Sequence, residues 1–203
     1  MKIIKAKIYT LKIPFNFSFG HFLKIRFYSD SIIVELTTDT GVRGYGEGMA
    51  RSYVTGETAK KSINHIKDVL LPAIMNKDIP NIETSQNPQN ALSYINDYFP
   101  KTRTSGAIVW NASRAAVELA IIDSLLKNQQ KSLNCILPAK SQNVTYSGVF
   151  SSENLTKTIE LAKRAKETGL QYIKIKVGKI SDIERIAVVR DIMGQSASIR
   201  LDT

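Results

Sequence analysis

The chain has 203 residues, 43% hydrophobic and 23% charged, with a net charge of +10 from 28 Lys and Arg against 18 Asp and Glu. That length allows one or two domains with a sizeable core, and no apolar run of about 18 residues is present to form a transmembrane helix. The basic residues are spread along the chain with no Arg-rich tract or aromatic ladder, which argues against nucleic acid and leaves the charge as a solvated surface.

Residues 1–10 alternate Lys with Ile and Ala and lack the continuous apolar stretch of a secretory signal. The single cysteine, Cys135, has no internal partner and is read as a packing residue, so a reducing, cytoplasmic location is expected. Three strands are expected first, over residues 2–13, 31–38 and 42–47, with Asp39-Thr40-Gly41 as a tight hairpin turn. The phenylalanine and histidine of Phe19-Gly20-His21 are read as part of a loop between strands. A helix follows from about Glu57 to Met75, carrying Ile63, Ile66, Leu70 and Ile74 at helical spacing with Thr55 as N-cap. A second helix runs from about Ala107 to Lys127, small or apolar on one side. Strands followed by helices indicate an α+β domain over residues 1–128.

From residue 129 the rhythm changes to strand–helix alternation. Strands are expected over 143–149, 171–177 and 198–202, with helices over 152–168, closed by Gly169, and from Ser181 to Gly194. Ser181-x-x-Glu184 reads as a capping box. A repeat of roughly 27 residues is that of βα units in a (β/α) barrel, of which residues 129–203 would supply strands 1 to 3. A chain stopping inside a strand at Leu201-Asp202-Thr203 leaves a bare sheet edge, so a fragment or truncated product is expected.

Lys174 and Lys176 lie two apart in a strand and share one face, with Ile173, Ile175 and Val177 on the other. Two ammonium groups in a partly desolvated site disfavour double protonation, and a lysine poised near neutral pH can remove a weakly acidic proton beside a carboxylate. Asp202 stands at the C-terminal end of the next strand, the edge where barrel active sites are built, and its carboxylate suits a hard cation. The glycines of Gly41-Val-Arg-Gly44-Tyr-Gly46-Glu-Gly48 are not followed by a helix and read as hairpin glycines, not a phosphate loop.

Four stretches together resemble the muconate-lactonizing and dipeptide-epimerase (mandelate racemase-like) branch of the enolase superfamily. They are Ser31–Glu35 leading to Thr38-Asp39-Thr40-Gly41 and Gly44-Tyr45-Gly46-Glu47; Arg51-Ser52-Tyr53-Val54-Thr55-Gly56-Glu57; Ala115-Ala116-Val117-Glu118-Leu119-Ala120 with Asp123; and Lys174-Ile175-Lys176-Val177-Gly178 followed by Leu201-Asp202. The resemblance implies a capping domain ahead of a modified TIM-like barrel. It implies Lys176 as the base that removes the proton α to a carboxylate and Lys174 as a stabiliser of the enediolate. Asp202 becomes the first of three carboxylate ligands to Mg²⁺. It also implies a small carboxylate substrate covered by the segments around Phe19, His21, Arg51 and Tyr53, and a homo-oligomer when full length. The remaining ligands and the opposing lysine would lie beyond Thr203, so residues 1–203 alone are expected to be inactive. A cycloisomerase or dehydrating synthase would use the same machinery. The runner-up of another class is a non-catalytic product that pairs its open strand edge with another chain.

Overall fold

The computed structural model describes residues 1–21, 24–82, 93–100, 110–151 and 154–202, with the side chains of 17–21, 24, 25 and 94 left out. The chain divides into two compact units, one of Met1–Ile13 with Ser29–Lys140, the other of Pro14–Tyr28 with Ser141–Thr203.

A three-stranded sheet of order β1-β2-β3 is formed by β1 (Ile3–His21), β2 (Lys24–Thr38) and β3 (Arg43–Gly48). β1 runs beyond the expected end at residue 13, because the alternation of Phe15, Phe17 and Phe19 continues the strand rhythm. Phe19 and His21 therefore belong to a strand backbone and not to a loop. β2 and β3 pair antiparallel from Ile32↔Gly48 to Thr37↔Arg43. Between them Gly41 takes φ +84°, and its N–H donates to the Thr38 carbonyl, which is the expected turn.

The first expected helix is α1 (Ala59–His65), a π turn over Ile66–Leu70, and α2 (Leu71–Ile74). Pro72 lacks the N–H that would reach back to Asp68, so the ladder is re-formed around it. Thr58, not Thr55, caps α1 by accepting from Lys61 N–H. Thr55 is engaged in the preceding turn, donating to the Arg51 carbonyl and accepting from Glu57 N–H.

The second helix, α3 (Asn111–Asn128), begins after Trp110; the expected start at Ala107 lies outside the described residues. α3 lies against β3 through glycine. A methyl group on Gly46 or Gly48 would collide with the carbonyl oxygen of Ala116 or Ala112, and one on Gly44 with the Ser124 hydroxyl. Two strand residues advance about 6.6 Å and four helical residues about 6 Å, so one glycine meets each helical turn. These three glycines are a seam for a helix, while only Gly41 serves the hairpin turn. The seam closes the first unit's core, in which Ile32, Val34 and Leu36 meet Ile66, Leu70, Val117, Ile121 and Leu125. At the open edge of β3, Asp123 accepts from the Tyr45 N–H at 2.8 Å.

Cys135 stands exposed in a short 3₁₀ turn (Leu133–Cys135), so it is not the packing residue expected from its type.

The second unit holds a parallel sheet of order β4-β5-β6, from β4 (Ser147–Phe150), β5 (Tyr172–Lys176) and β6 (Ser198–Asp202). The connecting helices are α4 (Leu155–Glu167) and α5 (Asp182–Met193). Asn154 caps α4, and Gly169, at φ +71°, follows its end as expected. Phe150, Ile173 and Ile175 form a core with Ala162, Ala165, Val189 and Met193 of the two helices. The fold is thus an α+β unit followed by β-α-β-α-β with parallel strands. No helix among the described residues is long and apolar enough to cross a membrane.

Candidate active site on the parallel sheet

Alternation along β5 buries Ile173 and Ile175, at 1% and 0% exposure, against the helices. It leaves Lys174 and Lys176 half-buried on the opposite face. The parallel register sets Lys174 beside Arg200 and Lys176 beside Asp202 on β6. Neighbouring strands lie about 4.8 Å apart, so the four side chains form one charged patch at the C-terminal ends of two adjacent strands.

Within it, the Lys174 ammonium lies 3.0 Å from Asp202 Oδ2. The hydrogen bond from Lys174 holds the Asp202 carboxyl below its ordinary value against partial desolvation, helped by the charges of Lys174, Lys176 and Arg200. Asp202 is thus an ionised hard-oxygen donor. Among the described residues no three His, Cys, Asp or Glu side chains are close enough to hold a metal ion together. Asp202 fits as one ligand of a divalent cation, but these residues do not supply a complete set.

Behind the patch is a group that the sequence reading missed. Asp182 and Arg185 are 5% and 3% exposed and ion-paired one turn apart on α5. Asp182 Oδ2 accepts from the main-chain N–H groups of Gly178 and Lys179, at 2.8 and 2.9 Å. Burial is the largest influence on this carboxyl and opposes its ionisation. Those two N–H groups and Arg185 overcome it, and its pKa lies below the ordinary value. The expected capping box fails here. Ser181 has helical dihedrals and makes no side-chain cap, because Asp182 already takes the loop amides. The available signal was the Asp/Arg pair at i, i+3, which reads equally well as a solvent-facing pair. Arg200, alternating with Asp202 in Ser198–Asp202, was a second missed member.

The other expected site residues come from different stretches of the chain. Arg51 and Tyr53 lie in the turns after β3, in the first unit, where the Arg51 carbonyl accepts from Val54 and Thr55 N–H. The Phe19 and His21 side chains lie outside the described residues. Glu57, from the same stretch as Arg51, is fully buried and structural. It accepts from the first amides of α3, Ala112 N–H at 2.7 Å and Ser113 N–H at 3.0 Å, and from the Ser62 hydroxyl at 2.7 Å. His65 stacks on Trp110 with ring centroids 4.3 Å apart, and its Nδ1 lies 2.9 Å from Ser113 Oγ.

Residues 2–137 match the family "Mandelate racemase / muconate lactonizing enzyme, N-terminal domain". The chain is similar to the N-succinyl-L-Arg/Lys racemase of Bacillus cereus, with 30% identity over all of this chain and 52% of that protein. The crystal structure of that racemase superimposes with a TM-score of 0.83 at 28% identity, again over 100% of this chain and 52% of its own. A dipeptide epimerase from Enterococcus faecalis, complexed with Mg and the dipeptide L-Leu-L-Tyr, gives a TM-score of 0.81 at 27% identity, covering 100% of this chain and 54% of that one. An o-succinylbenzoate synthase of Listeria innocua is 27% identical over 93% of this chain and 46% of that protein. The chain spans about half the length of the curated relatives it matches.

Proposed function

The chain belongs to the mandelate racemase / muconate lactonizing enzyme family, and we therefore propose that the whole protein abstracts the proton α to a substrate carboxylate, as a racemase or epimerase of a dipeptide or amino-acid derivative. One observation carries the reading. Lys174, Lys176 and Asp202 share one face at the C-terminal ends of adjacent parallel strands, with Ile173 and Ile175 buried behind the lysine pair. In this reading residues 1–128 are the capping domain and 129–203 open a TIM-like barrel. The substrate is a small carboxylate, the location cytoplasmic, and the full-length protein a homo-oligomer. The resemblance assigns substrate selection to Phe19, His21, Arg51 and Tyr53.

Lys176, as the free amine, takes the α-proton and becomes the ammonium. The C–H bonding electrons move into the substrate carboxylate and leave an enediolate with two negative charges. Lys174 places a positive charge one pleat away from the base, where that second charge develops. Asp202 would be one of the ligands holding Mg²⁺, which when bound offsets charge on the substrate carboxylate. Inversion is completed by a proton returned to the opposite face from an acid outside these residues. Residues 1–203 by themselves, with one base and one metal-ligating carboxylate, are expected to show no racemase activity and only weak Mg²⁺ binding.

The test is α-deuterium incorporation in D₂O by the full-length protein with Mg²⁺ over a panel of dipeptides and N-acyl amino acids. Lys176→Ala is expected to slow exchange by about 100-fold or more. Exchange at the parental rate in that variant would overturn the assignment. The similarity to an o-succinylbenzoate synthase favours a second reading, dehydration by the same lysine. Loss of water from a hydroxy-acid substrate, with no exchange on the panel, would select it.

A further inference from the structure

The peptide that follows Lys176 is held at both ends. Its N–H, on Val177, donates to the Asp202 carbonyl at 2.9 Å. Its carbonyl, on Lys176, accepts from Arg185 Nη1 at 3.3 Å. The register between β4 and β5 ends at Phe150↔Ile175, one residue earlier, so a helix side chain serves the carbonyl beyond the last strand pair. Arg185 also donates from Nε to Thr158 Oγ1 on α4 at 3.4 Å, and its Nη1 pairs with Asp182 Oδ1. The other oxygen of Asp182 holds the next amides, Gly178 and Lys179. One ion pair thus ties the end of β5, its loop and both covering helices.

Stability alone is a poor reason for this pair. Burying two charges is costly, and apolar residues of similar volume are often as stable or more so. Arg185 Nη2 is moreover buried with no hydrogen-bond partner among the described residues. Direction is a better reason, since side chains alternate faces with a period of two and a strand end that slipped its register with β6 at Lys176 would turn the amine to the other face.

We propose that Asp182 and Arg185 are positioning residues that lock the Lys176–Val177 peptide and thereby aim the Lys176 amine along the Asp202 face. The proposal rests on Lys176 being the base.

Two readouts in the full-length protein test it. The double variant Asp182→Asn/Arg185→Met removes both charges together, which avoids stranding one of them in the core. Amide hydrogen exchange at Gly178 and Lys179 is expected to speed up by about 10-fold or more while Ile173 and Ile175 stay protected. In the same variant kcat for α-deuterium exchange is expected to fall by about 10- to 100-fold with little change in KM, as for a misplaced catalytic group. Arg185→Lys keeps the charge but not the two-acceptor fork; it is expected to lose kcat in the same direction, and it carries the test if the double variant does not fold. Parental kcat or unchanged Gly178 and Lys179 exchange in a folded variant overturns the proposal. Lys176→Ala run in parallel separates the two ideas. Full activity there removes the base assignment, and the aiming role with it, whereas its loss beside a fully active Arg185→Lys removes only the positioning role.

Discussion

β3 in the first unit and β5 in the second bury alternate residues with the same rhythm, yet they use it for opposite ends. In β3 the buried set is Gly44, Gly46 and Gly48, emptied of side chains so that α3 can lie directly on the strand. In β5 the buried set is Ile173 and Ile175, full-sized side chains that pack with Ala162, Ala165, Val189 and Met193 of the two helices. The face left over differs accordingly. On β3 it carries Arg43, Tyr45 and Glu47, all exposed, and on β5 two half-buried lysines beside Arg200 and Asp202. Period-two patterning therefore marks two faces of a strand without saying what covers either.

The comparison breaks most directly at the seam. Gly46→Ala forces a methyl group into the Ala116 carbonyl, a backbone atom that cannot swing aside, and is expected to cost about 3 kcal/mol or more in urea denaturation. Gly41→Ala is the control. Its added methyl meets nothing, so only the positive φ is penalised, at about 1–2 kcal/mol. Equal losses at the two positions would refute the seam.

Glu57→Ala comes next. It leaves the buried amides of Ala112 and Ser113 and the Ser62 hydroxyl without their acceptor, an expected loss of about 2–3 kcal/mol by thermal or urea unfolding. A loss below about 0.5 kcal/mol, the range of an ordinary surface change, would remove Glu57 as the cap of α3.

On the lysine face the expectation reverses. Lys174→Met breaks a pair whose side chains are 25% and 40% exposed, so stability at neutral pH should change little. Its mark lies in acid. A carboxylate with a lowered pKa stabilises the fold above the ordinary carboxylate value and loses that contribution as pH falls through the folded value. The variant should therefore lose less stability than the parent on acidification below about pH 4. Identical acid profiles would show that the Lys174–Asp202 contact is absent in solution.

The smallest effect belongs to His65. Burial lowers its pKa, with the Arg114 charge in the same direction and Glu57 opposing. Its folded form binds a proton less readily than its unfolded form, so stability is complete above the ordinary histidine value and declines as pH falls below it. His65→Gln should flatten that slope between about pH 6.5 and 5, measured as the pH dependence of the melting temperature. An unchanged slope would remove His65 as its source.

Much of the candidate site's geometry was legible in the sequence. Lys174 and Lys176 had to share a face, and Asp202 had to end the neighbouring strand, because strand periodicity and element order require no tertiary information. The Asp182–Arg185 pair was not legible, since spacing of three on a helix is the same for a buried pair and a solvated one. The capping box misled for a related reason. Ser181 and Glu184 offer suitable cap chemistry, but Asp182 reaches the loop amides first.

The order of elements, the Gly41 turn, the change from strand-then-helix to alternating strand and helix, and the shared face of the lysine pair all follow from the residues in chain order. All of these depend on backbone geometry and spacing along the chain. Packing of the folded chain was needed to reveal that three glycines are a helix seam, that Glu57 caps a helix 55 residues away, that Lys174 holds Asp202, and that Arg185 reaches the Lys176 carbonyl. Each is a contact between elements, and which atoms meet depends on the distance and register of packing, which local propensity does not encode.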